Sequence, residues 1–320
     1  MNRLAKGAKT YLKENMSILI GLVALCTVVS LLSGRFLTTA NILNVLRQLF
    51  SNCNLALGMC LVILTGGIDL SVGAIMALSG TLCAGMIADG FLPVPIAICV
   101  GLALGVVIGV INGLFISKMN IAPFIVTLAT QQICRGLIYV YADGLPIRCM
   151  NDAFNFLGNG YVGPIPITII YSLVFVVIFW LILSKSQLGR WIYAVGGNIN
   201  AARFSGINVD RVRIIVYGLS SFMAAFAGII YCARMYSGQP TLGTGDETDA
   251  IAAVVLGGTS MSGGVGKIGG TVIGILIIAV LSNALNLLKI NSFWQLVAKG
   301  VVILIAVCVD NLKSTQRAKG

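Results

Sequence analysis

The chain has 320 residues, of which 58% are hydrophobic and 10% charged, and its mean hydropathy is +0.99. Soluble domains carry about 25% charged residues, so a water-soluble fold is excluded and lipid is the expected solvent for most of the chain. The 21 Lys and Arg against 10 Asp and Glu do not indicate nucleic-acid binding, because no basic stripe with interleaved aromatic residues is present. In a membrane protein this excess belongs to cytoplasmic loops.

Cysteine and histidine give no sign of a metal or redox site. The nine cysteines form no CxxC pair, and nearly all lie in apolar runs, where cysteine behaves as a small buried hydrophobe. Histidine is absent, which excludes an imidazole proton relay and a histidine-based catalytic triad. We therefore expect no metal, no cofactor and no catalytic residue.

Apolar runs long enough to cross a bilayer recur along the chain. About 20 apolar residues span the hydrocarbon core as a helix. That length predicts ten candidate spans, at 17–34, 42–64, 71–88, 94–116, 123–141, 164–184, 213–233, 247–257, 269–288 and 293–310. The first follows a basic N-terminus but lacks a cleavage pattern, so we interpret it as an uncleaved helix. The eighth is too short to cross alone, and we expect a broken or re-entrant segment near 247–270.

The distribution of positive charge predicts the orientation in the membrane. With the N-terminus inside, 14 of the 21 Lys and Arg fall in cytoplasmic stretches and four in outer loops. This asymmetry predicts that both termini are cytoplasmic. The longest outer loop is 142–163 and the longest cytoplasmic loop is 185–212. No linker marks a second domain, so residues 1–320 are expected to form one transmembrane domain. The three remaining basic residues fall within spans (Arg47, Arg135 and Lys299).

A short internal repeat indicates how the spans are organised. NGLFISKMN at 112–120 resembles NALNLLKIN at 283–291, with four matches at an offset of 171 residues. Both copies end one span and begin the next. Because they are five spans apart, the two halves of the chain would cross the membrane in opposite directions. This favours two inverted repeats of about five helices each, a recurring design of transporters with the pathway between the halves. Four matches are also within reach of chance.

The chain contains no recognisable energy source of its own. A P-loop requires GxxxxGK[ST], and the nearest candidate has Met261 in place of the first glycine and Ile268 in place of the Ser or Thr. The chain therefore does not hydrolyse ATP by that route and is not expected to be an enzyme. It also lacks the multiple intramembrane carboxylates or histidines that are typical of proton-driven transporters.

The stretch TGGIDLSVG, residues 65–73, breaks the apolar pattern with three glycines and a carboxylate. An unpaired Asp at the centre of a membrane helix costs about 2.5 to 3.5 kcal/mol, so Asp69 must lie near an interface, line a wet cavity or bond to backbone donors. One interpretation is a helix-start cap built from Asp69 and Ser71. The other is a pore-lining or gating break, and the two are compatible.

Polar side chains also interrupt the second and fifth spans. Asn52 and Asn54 lie in the second span, and Thr127 and Gln131 lie on one face of the fifth together with Thr130, because their spacings are three and four residues. These groups either form hydrogen bonds between helices or provide a polar path for a hydroxyl-rich solute.

The cytoplasmic loop 185–212 predicts a short helix of its own. Asn198 is a plausible N-cap and Gly206 a plausible end. Such a helix would present Ala201, Ala202 and Ser205 on one face, small enough to enter a partner's cleft. A solvated loop helix with no partner is the alternative.

Four stretches together resemble the bacterial ribose-type monosaccharide ABC permeases. They are TGGIDLSVG, PFIVTL at 123–128, LGRWIYAVGGNINAARFSGINVDRVRI at 188–214 and DAIAAVVLGGTSMSGG at 249–264. The match runs over nearly the whole chain, in order and with similar spacing. The resemblance implies an all-α bacterial inner-membrane protein of about ten helices in inverted repeats. It also implies a homodimer with the pathway at its axis, a separate cytoplasmic ATPase subunit, and a periplasmic or lipid-anchored sugar-binding protein.

The resemblance also suggests roles for particular residues. It makes the loop at 196–207 a coupling helix docked in the ATPase, with Gly196, Gly197, Asn198, Ala201, Ala202, Ser205, Gly206 and Ile207 as contacts. Outer-loop residues Arg148 and Arg234 would pair with carboxylates of the binding protein. The residues predicted to line the translocation path are Asn52, Asn54, Asp69, Ser71, Phe124, Thr127 and Gln131.

The predicted function is the permease subunit of an ABC importer for ribose or a related aldose. An ion-coupled secondary transporter would instead import with only an ion gradient. A permease for branched-chain amino acids would show charged groups along its path, which the sequence does not reveal. A passive pore would leave the 185–212 loop without a purpose.

Overall fold

The computed structural model describes residues 16–319. Four basic residues used in the charge analysis, Arg3, Lys6, Lys9 and Lys13, lie outside this part. Thirteen helices form within it: α1 (Met16–Leu32), α2 (Thr39–Leu64), α3 (Val72–Ala88), α4 (Val94–Lys118), α5 (Pro123–Ala142), α6 (Asp152–Asn159), α7 (Ile167–Lys185), α8 (Gln187–Gly197), α9 (Ile199–Phe204), α10 (Val209–Met235), α11 (Asp246–Leu256), α12 (Ile268–Leu287) and α13 (Ser292–Lys319).

Each predicted span coincides with one helix, and the protein is a multi-pass, all-α membrane protein. Five helices, α2, α4, α7, α10 and α12, are long and apolar enough to cross a bilayer, and α1, α3 and α13 contain shorter apolar stretches. Helix α5 has 20 residues, but its Thr, Gln and Arg side chains make it too polar to be counted in either group. Helix α11 has 11 residues and is about 16 Å long, so the eighth span is a half-helix, as predicted.

The helix order repeats along the chain. Helices α2, α3, α4 and α5 recur as α10, α11, α12 and α13, which begin 169 to 174 residues later. Helix α10 packs on α3 and α4, as α2 packs on α11 and α12. Each half contains one break at the same place in its order: residues 65–71 follow α2 and residues 236–245 follow α10. We call these the first break and the second break.

Glycines bring α4 and α10 into close contact across the two halves. A Cβ added to Gly105 would lie 2.5 Å from the Cβ of Ala225, and one added to Gly113 would lie 2.6 Å from the Cα of Ile214. Small residues at this spacing allow two membrane helices to approach closely and pack without a side-chain layer between them. The core therefore has α10 at its centre, with α2, α3 and α4 around it.

Segment 142–163, which the sequence predicts to be the longest outer loop, is more structured than a loop. It contains α6, whose N-cap Asn151 accepts a hydrogen bond from the Phe154 N–H, and two-residue strands. Strand β1 (Ile147–Arg148) pairs antiparallel with β4 (Ser237–Gly238), and β2 (Tyr161–Val162) pairs with β3 (Ile165–Pro166). Through β4, this segment is joined to the second break.

Candidate functional site

The first break is organised around the Asp69 carboxylate. Oδ1 accepts hydrogen bonds from the Ser71 N–H at 3.0 Å and the Ser71 hydroxyl at 2.5 Å, and Oδ2 accepts one from the Ser220 hydroxyl of α10 at 3.0 Å. Both Asp69 and Ser71 are completely buried. Charge-assisted hydrogen bonds of this kind offset the cost of placing a carboxylate in the interior.

The hydrogen bonds of Asp69 extend into two further helices. Asn112 of α4 donates to the Ser71 hydroxyl at 3.1 Å and accepts from the Thr130 hydroxyl of α5 at 2.6 Å. The Tyr217 hydroxyl of α10 donates to the Ile68 carbonyl. The first break is thus tied to α4, α5 and α10 by side chains that are mostly enclosed in protein.

This geometry refines the helix-start interpretation. Ser71 occupies the N-cap position of α3, yet its own side chain makes no cap hydrogen bond. Its hydroxyl donates to Asp69 instead, and the carboxylate takes up the Ser71 N–H. The first break therefore ends in a turn centred on the Asp69 carboxylate. From the sequence alone, either Asp69 or Ser71 could have been the residue that caps α3.

The second break runs deep into the protein beside α3. A Cβ added to Gly238 would lie 2.7 Å from the Cα of Thr81, and one added to Gly243 would lie 2.6 Å from the Gly73 carbonyl oxygen. Residues 238 to 243 therefore descend along α3 in antiparallel fashion. The backbone of the second break at Gly243 thus meets the first turn of α3 at Gly73, directly after the first break.

The second break delivers three carboxylates to the start of the half-helix α11. Asp246, Glu247 and Asp249 all lie in its first turn. Negative charge is favourable there because the helix macrodipole is positive at the N-terminus. The sequence interpretation missed this group when it found no charged residues along the path. The signal was present in GDETDAI, residues 245–251, at the start of the short eighth span, and in the basic residues within spans.

Helix α5 holds the second break through its polar face. The Arg135 guanidinium donates from Nη1 to the carbonyl oxygens of Pro240 at 2.7 Å and Leu242 at 2.8 Å. One turn earlier, Gln131 Nε2 donates to Glu247 Oε1 at 3.2 Å. Arg135 satisfies backbone acceptors that an unwound segment would otherwise leave without partners.

Helix α13 contributes a second cation to the same region. Lys299 Nζ lies 2.5 Å from Asp249 Oδ2, with 25% of the Lys299 side chain and 7% of the Asp249 side chain exposed. This ion pair fixes α11 to α13. The half-helix is therefore held by the Gln131 amide of α5 and by the Lys299 ammonium of α13.

Exposed polar side chains also lie on the second break, α11 and α5. They are Thr241, Thr244, Thr248 and Gln132. Polar groups are costly against hydrocarbon, so we expect these four residues to face water or another protein surface, and we call them the open polar face.

The predicted path residues divide into two groups. Asn54, Asp69, Ser71 and Thr127 are buried in the protomer, so they do not line an open surface in this conformation, contrary to a simple pore-lining role. Asn52 and Gln131 are half-buried. Phe124 is 52% exposed, on the same helix as Gln132.

Helix α9 forms where the sequence of loop 185–212 predicted a short helix. The Asn198 side chain accepts from the N–H groups of Asn200 and Ala201, both at 3.0 Å, and Gly206 ends the turn with a φ of +79°. Among the large hydrophobic residues in the described part of the chain, Phe204 is the most exposed, at 93%, and the sequence interpretation did not select it.

The predicted contact face of α9 requires correction. Ala201 and Ser205 are exposed, but Ala202 is only 3% exposed and packs inward, so the three do not form one open face. Gly196 also faces inward, against the Leu64 carbonyl and Gly264, whereas Gly197 is exposed and Ile207 is half-buried. The periodicity of a six-residue helix is too short to identify its buried side from sequence.

The two arginines predicted to meet a binding protein have different surroundings. Arg148 is exposed on β1. Arg234 lies in the last turn of α10 rather than in a loop, is half-buried, and donates to the Arg47 carbonyl at 3.3 Å. The Arg47 guanidinium in turn lies 5.3 Å from the centroid of the Tyr161 ring. Arg234 therefore has a structural contact that a free loop residue would not have.

Comparison with known proteins gives consistent similarity over the chain. The family model described as "Branched-chain amino acid transport system / permease component" matches residues 41–307. The ribose import permease protein of Bacillus subtilis (strain 168) is 53% identical over 303 residues, which cover 94% of each chain. The corresponding protein of Haemophilus influenzae is 46% identical over 93% of each chain. The D-allose transport system permease protein of Escherichia coli (strain K12) is 40% identical over 87% of this chain and 86% of the relative.

Proposed function

Since the chain belongs to the branched-chain amino acid transport system permease family, we propose that it is the membrane subunit of an ABC importer for ribose or a related aldose. The names of relatives at 40 to 53% identity favour a sugar over a branched-chain amino acid. The subunit performs no chemistry on the solute. It provides a path whose two ends open in turn.

The observation that carries this proposal is the capped helix α9 in a chain without a P-loop. A six-residue helix with an Asn198 cap and an almost fully exposed Phe204 is suited to enter a cleft of another protein. Exposed aromatic side chains are frequent energetic centres of protein interfaces. A separate cytoplasmic ATPase subunit, which closes on ATP and moves α9, is the partner that fits a transporter lacking its own nucleotide site.

The translocation path is proposed to lie along the open polar face. Phe124, Gln131 and Gln132 of α5 and Thr244 and Thr248 near α11 would line it, with a second copy of the chain completing it in a homodimer. Hydroxyl and amide groups suit a sugar, which carries donors and acceptors around its ring. The buried residues Asn54, Asp69, Ser71 and Thr127 support this face from behind.

The remaining partners and the location follow from the same proposal. The protein lies in the bacterial inner membrane with both termini in the cytoplasm, its apolar helices in contact with lipid. Arg148 and Arg234 at the outer surface would place a periplasmic or lipid-anchored binding protein, which supplies the affinity for the sugar. Their solvated ion pairs would contribute more to registration than to binding energy.

Uptake by the reconstituted complex tests the proposal. The chain, its ATPase and its binding protein are placed in proteoliposomes, and uptake of radiolabelled ribose is measured with ATP inside. ATP-dependent uptake is expected, together with its loss in Phe204→Asp and its retention in Thr27→Val, a variant of an exposed position on α1. Uptake driven by an ion gradient in the absence of the ATPase would instead establish a secondary transporter.

A further inference from the structure

Three segments meet backbone to backbone at one end of the first break. They are residues 64–66 at the end of α2, residues 196–197 at the end of α8, and residues 263–264 in the loop between α11 and α12. We call this contact the glycine junction. Its segments are distant in sequence, yet each adjoins a part of the molecule that the proposed transport cycle must move.

The contacts in the glycine junction leave no room for a side chain at Gly196 or Gly263. The Gly264 N–H donates to the Leu64 carbonyl at 2.9 Å. A Cβ added to Gly196 would lie 2.5 Å from the Gly264 nitrogen and would also clash with the Leu64 carbonyl. One added to Gly263 would lie 2.9 Å from the Gly66 nitrogen and 3.0 Å from the Gly196 carbonyl oxygen.

Backbone conformation and one side chain reinforce the junction. Gly66, Gly263 and Gly264 have φ values of +76°, +86° and +72°, a region that favours glycine. The Tyr193 hydroxyl of α8 donates to the Gly266 carbonyl at 2.8 Å. Burial raises the pKa of Tyr193 to about 12, so this hydroxyl stays protonated and keeps its donor at physiological pH.

The position of each segment suggests what the junction does. Residues 196–197 directly precede Asn198, the N-cap of α9. Residue 64 directly precedes the first break, which carries Asp69. Residues 263–264 lie in the loop that connects the half-helix α11 to α12. A displacement of α9 therefore acts on both the first break and this loop through backbone contacts that have no compressible side chain between them.

We propose that the glycine junction passes the movement of α9 to the first break and to the loop after α11, with Gly196 and Tyr193 as positioning residues. This inference rests on the proposed function, in which an ATPase moves α9. It goes beyond that function by identifying the internal contact through which the movement reaches the transmembrane helices. Gly196 then acts inside the protein and is not a contact of the ATPase.

Two glycines within helices provide a matched test. In Gly196→Ala the new methyl group meets the Leu64 carbonyl and Gly264, whereas in Gly21→Ala on α1 it has open space within 4 Å. The full complex is reconstituted with each variant, and the ribose transported per ATP hydrolysed is measured for assembled complexes. We expect the ratio to fall by roughly tenfold in Gly196→Ala, the scale on which coupling residues act, and to stay at the wild-type value in Gly21→Ala. An unchanged ratio in assembled Gly196→Ala complexes would overturn the proposal.

A second variant decides the matter if Gly196→Ala fails to assemble. Tyr193→Phe removes only the hydroxyl that donates to Gly266. The expected result is a ratio about two- to threefold lower, with normal assembly. A wild-type ratio would count against the proposal, because loss of a purely structural hydrogen bond would change the amount of complex and leave the ratio of each complex unaltered.

Hydrogen–deuterium exchange separates this inference from the proposed function. With the ATPase trapped in its nucleotide-bound state, peptides covering 198–207, 60–70 and 258–267 should change exchange together in the wild type. In Gly196→Ala only 198–207 should change. If wild-type complexes fail to import sugar but show this linked response, the substrate proposal fails and the junction stands. Independent responses of the three peptides in the wild type would refute the junction.

Discussion

The first and second breaks occupy the same place in the two halves of the chain, yet they are built differently. The first is sealed: Asp69 is completely buried and accepts hydrogen bonds from serines on both sides of it. The second is open and ionic. It is held by Arg135, ends in three carboxylates and exposes Thr244 to its surroundings.

The difference shows how one architecture yields an anchor in one half and a lining surface in the other. A carboxylate surrounded by its own donors fixes the backbone and offers nothing to a solute. In the second break, by contrast, Arg135 binds two backbone carbonyl oxygens, and the neighbouring hydroxyls of Thr241 and Thr244 are exposed. These polar groups remain accessible to water. We therefore infer that a solute contacts the second break, while the first break supports it and connects to α9.

Removing the carboxylate of the first break should have the largest effect. Asp69→Ala leaves two serine hydroxyls and a backbone N–H without an acceptor, each at a cost of about 1–3 kcal/mol, so we expect a loss of about 3 kcal/mol or more in stability. Membrane abundance and thermal unfolding in detergent measure it. Asp69→Asn, which keeps one carbonyl oxygen, should be milder, and Asp89→Ala at an exposed position should resemble the wild type. An Asp69→Ala protein as stable as the wild type would contradict the sealed anchor.

Breaking the ion pair between α11 and α13 should come next. Lys299→Met leaves Asp249 buried without its cation, and we expect a cost of about 2–3 kcal/mol, less than for a fully buried pair because Lys299 is partly exposed. Thermal unfolding of the purified protein provides the measurement. Lys299→Met combined with Asp249→Asn should recover most of the loss. If the double variant is no more stable than the single one, the pair is not what binds α11 to α13.

The Arg135 contacts should matter less for stability than for transport. Arg135→Ala frees the carbonyls of Pro240 and Leu242, at about 1–2 kcal/mol, and loosens the second break. We expect uptake to fall by roughly tenfold at normal membrane abundance, with partial recovery in Arg135→Lys. Radiolabelled ribose uptake together with immunodetection tests this. Equal uptake in all three proteins would remove the second break from the path.

The smallest effect is expected from the exposed hydroxyls. Thr248→Val changes one hydroxyl into a methyl group, so stability should change by less than about 0.5 kcal/mol. Sugar uptake at low concentration should fall by about two- to threefold if Thr248 contacts the solute. Thr27→Val on α1, whose hydroxyl bonds to its own helix, is the matched control. A similar reduction in both variants would show that the open face of the second break has no special role.

Sequence patterns were sufficient to predict the helices, but not to predict which side chains meet in the candidate site. Apolar run lengths predicted every span, including the half-helix, because in lipid the backbone must satisfy its own hydrogen bonds. They could not reveal that Asp69 meets Ser220, since that contact joins positions 151 residues apart. The burial of Ala202 could not be predicted either, because a helix of six residues is too short to show a periodic apolar pattern. The acidic run in the first turn of α11 was visible in the sequence, and only its burial required the structure.

The glycine contact between α4 and α10 has a consequence for how such a molecule can change shape. These helices belong to opposite halves, and their backbones touch at Gly105 and Gly113 with no side-chain layer that could re-pack. The seam between the halves therefore cannot slide or widen without losing van der Waals contact along several turns. We therefore expect conformational change to involve helices outside this pair, such as α5 and α13, which would move about α4 and α10 as a rigid centre.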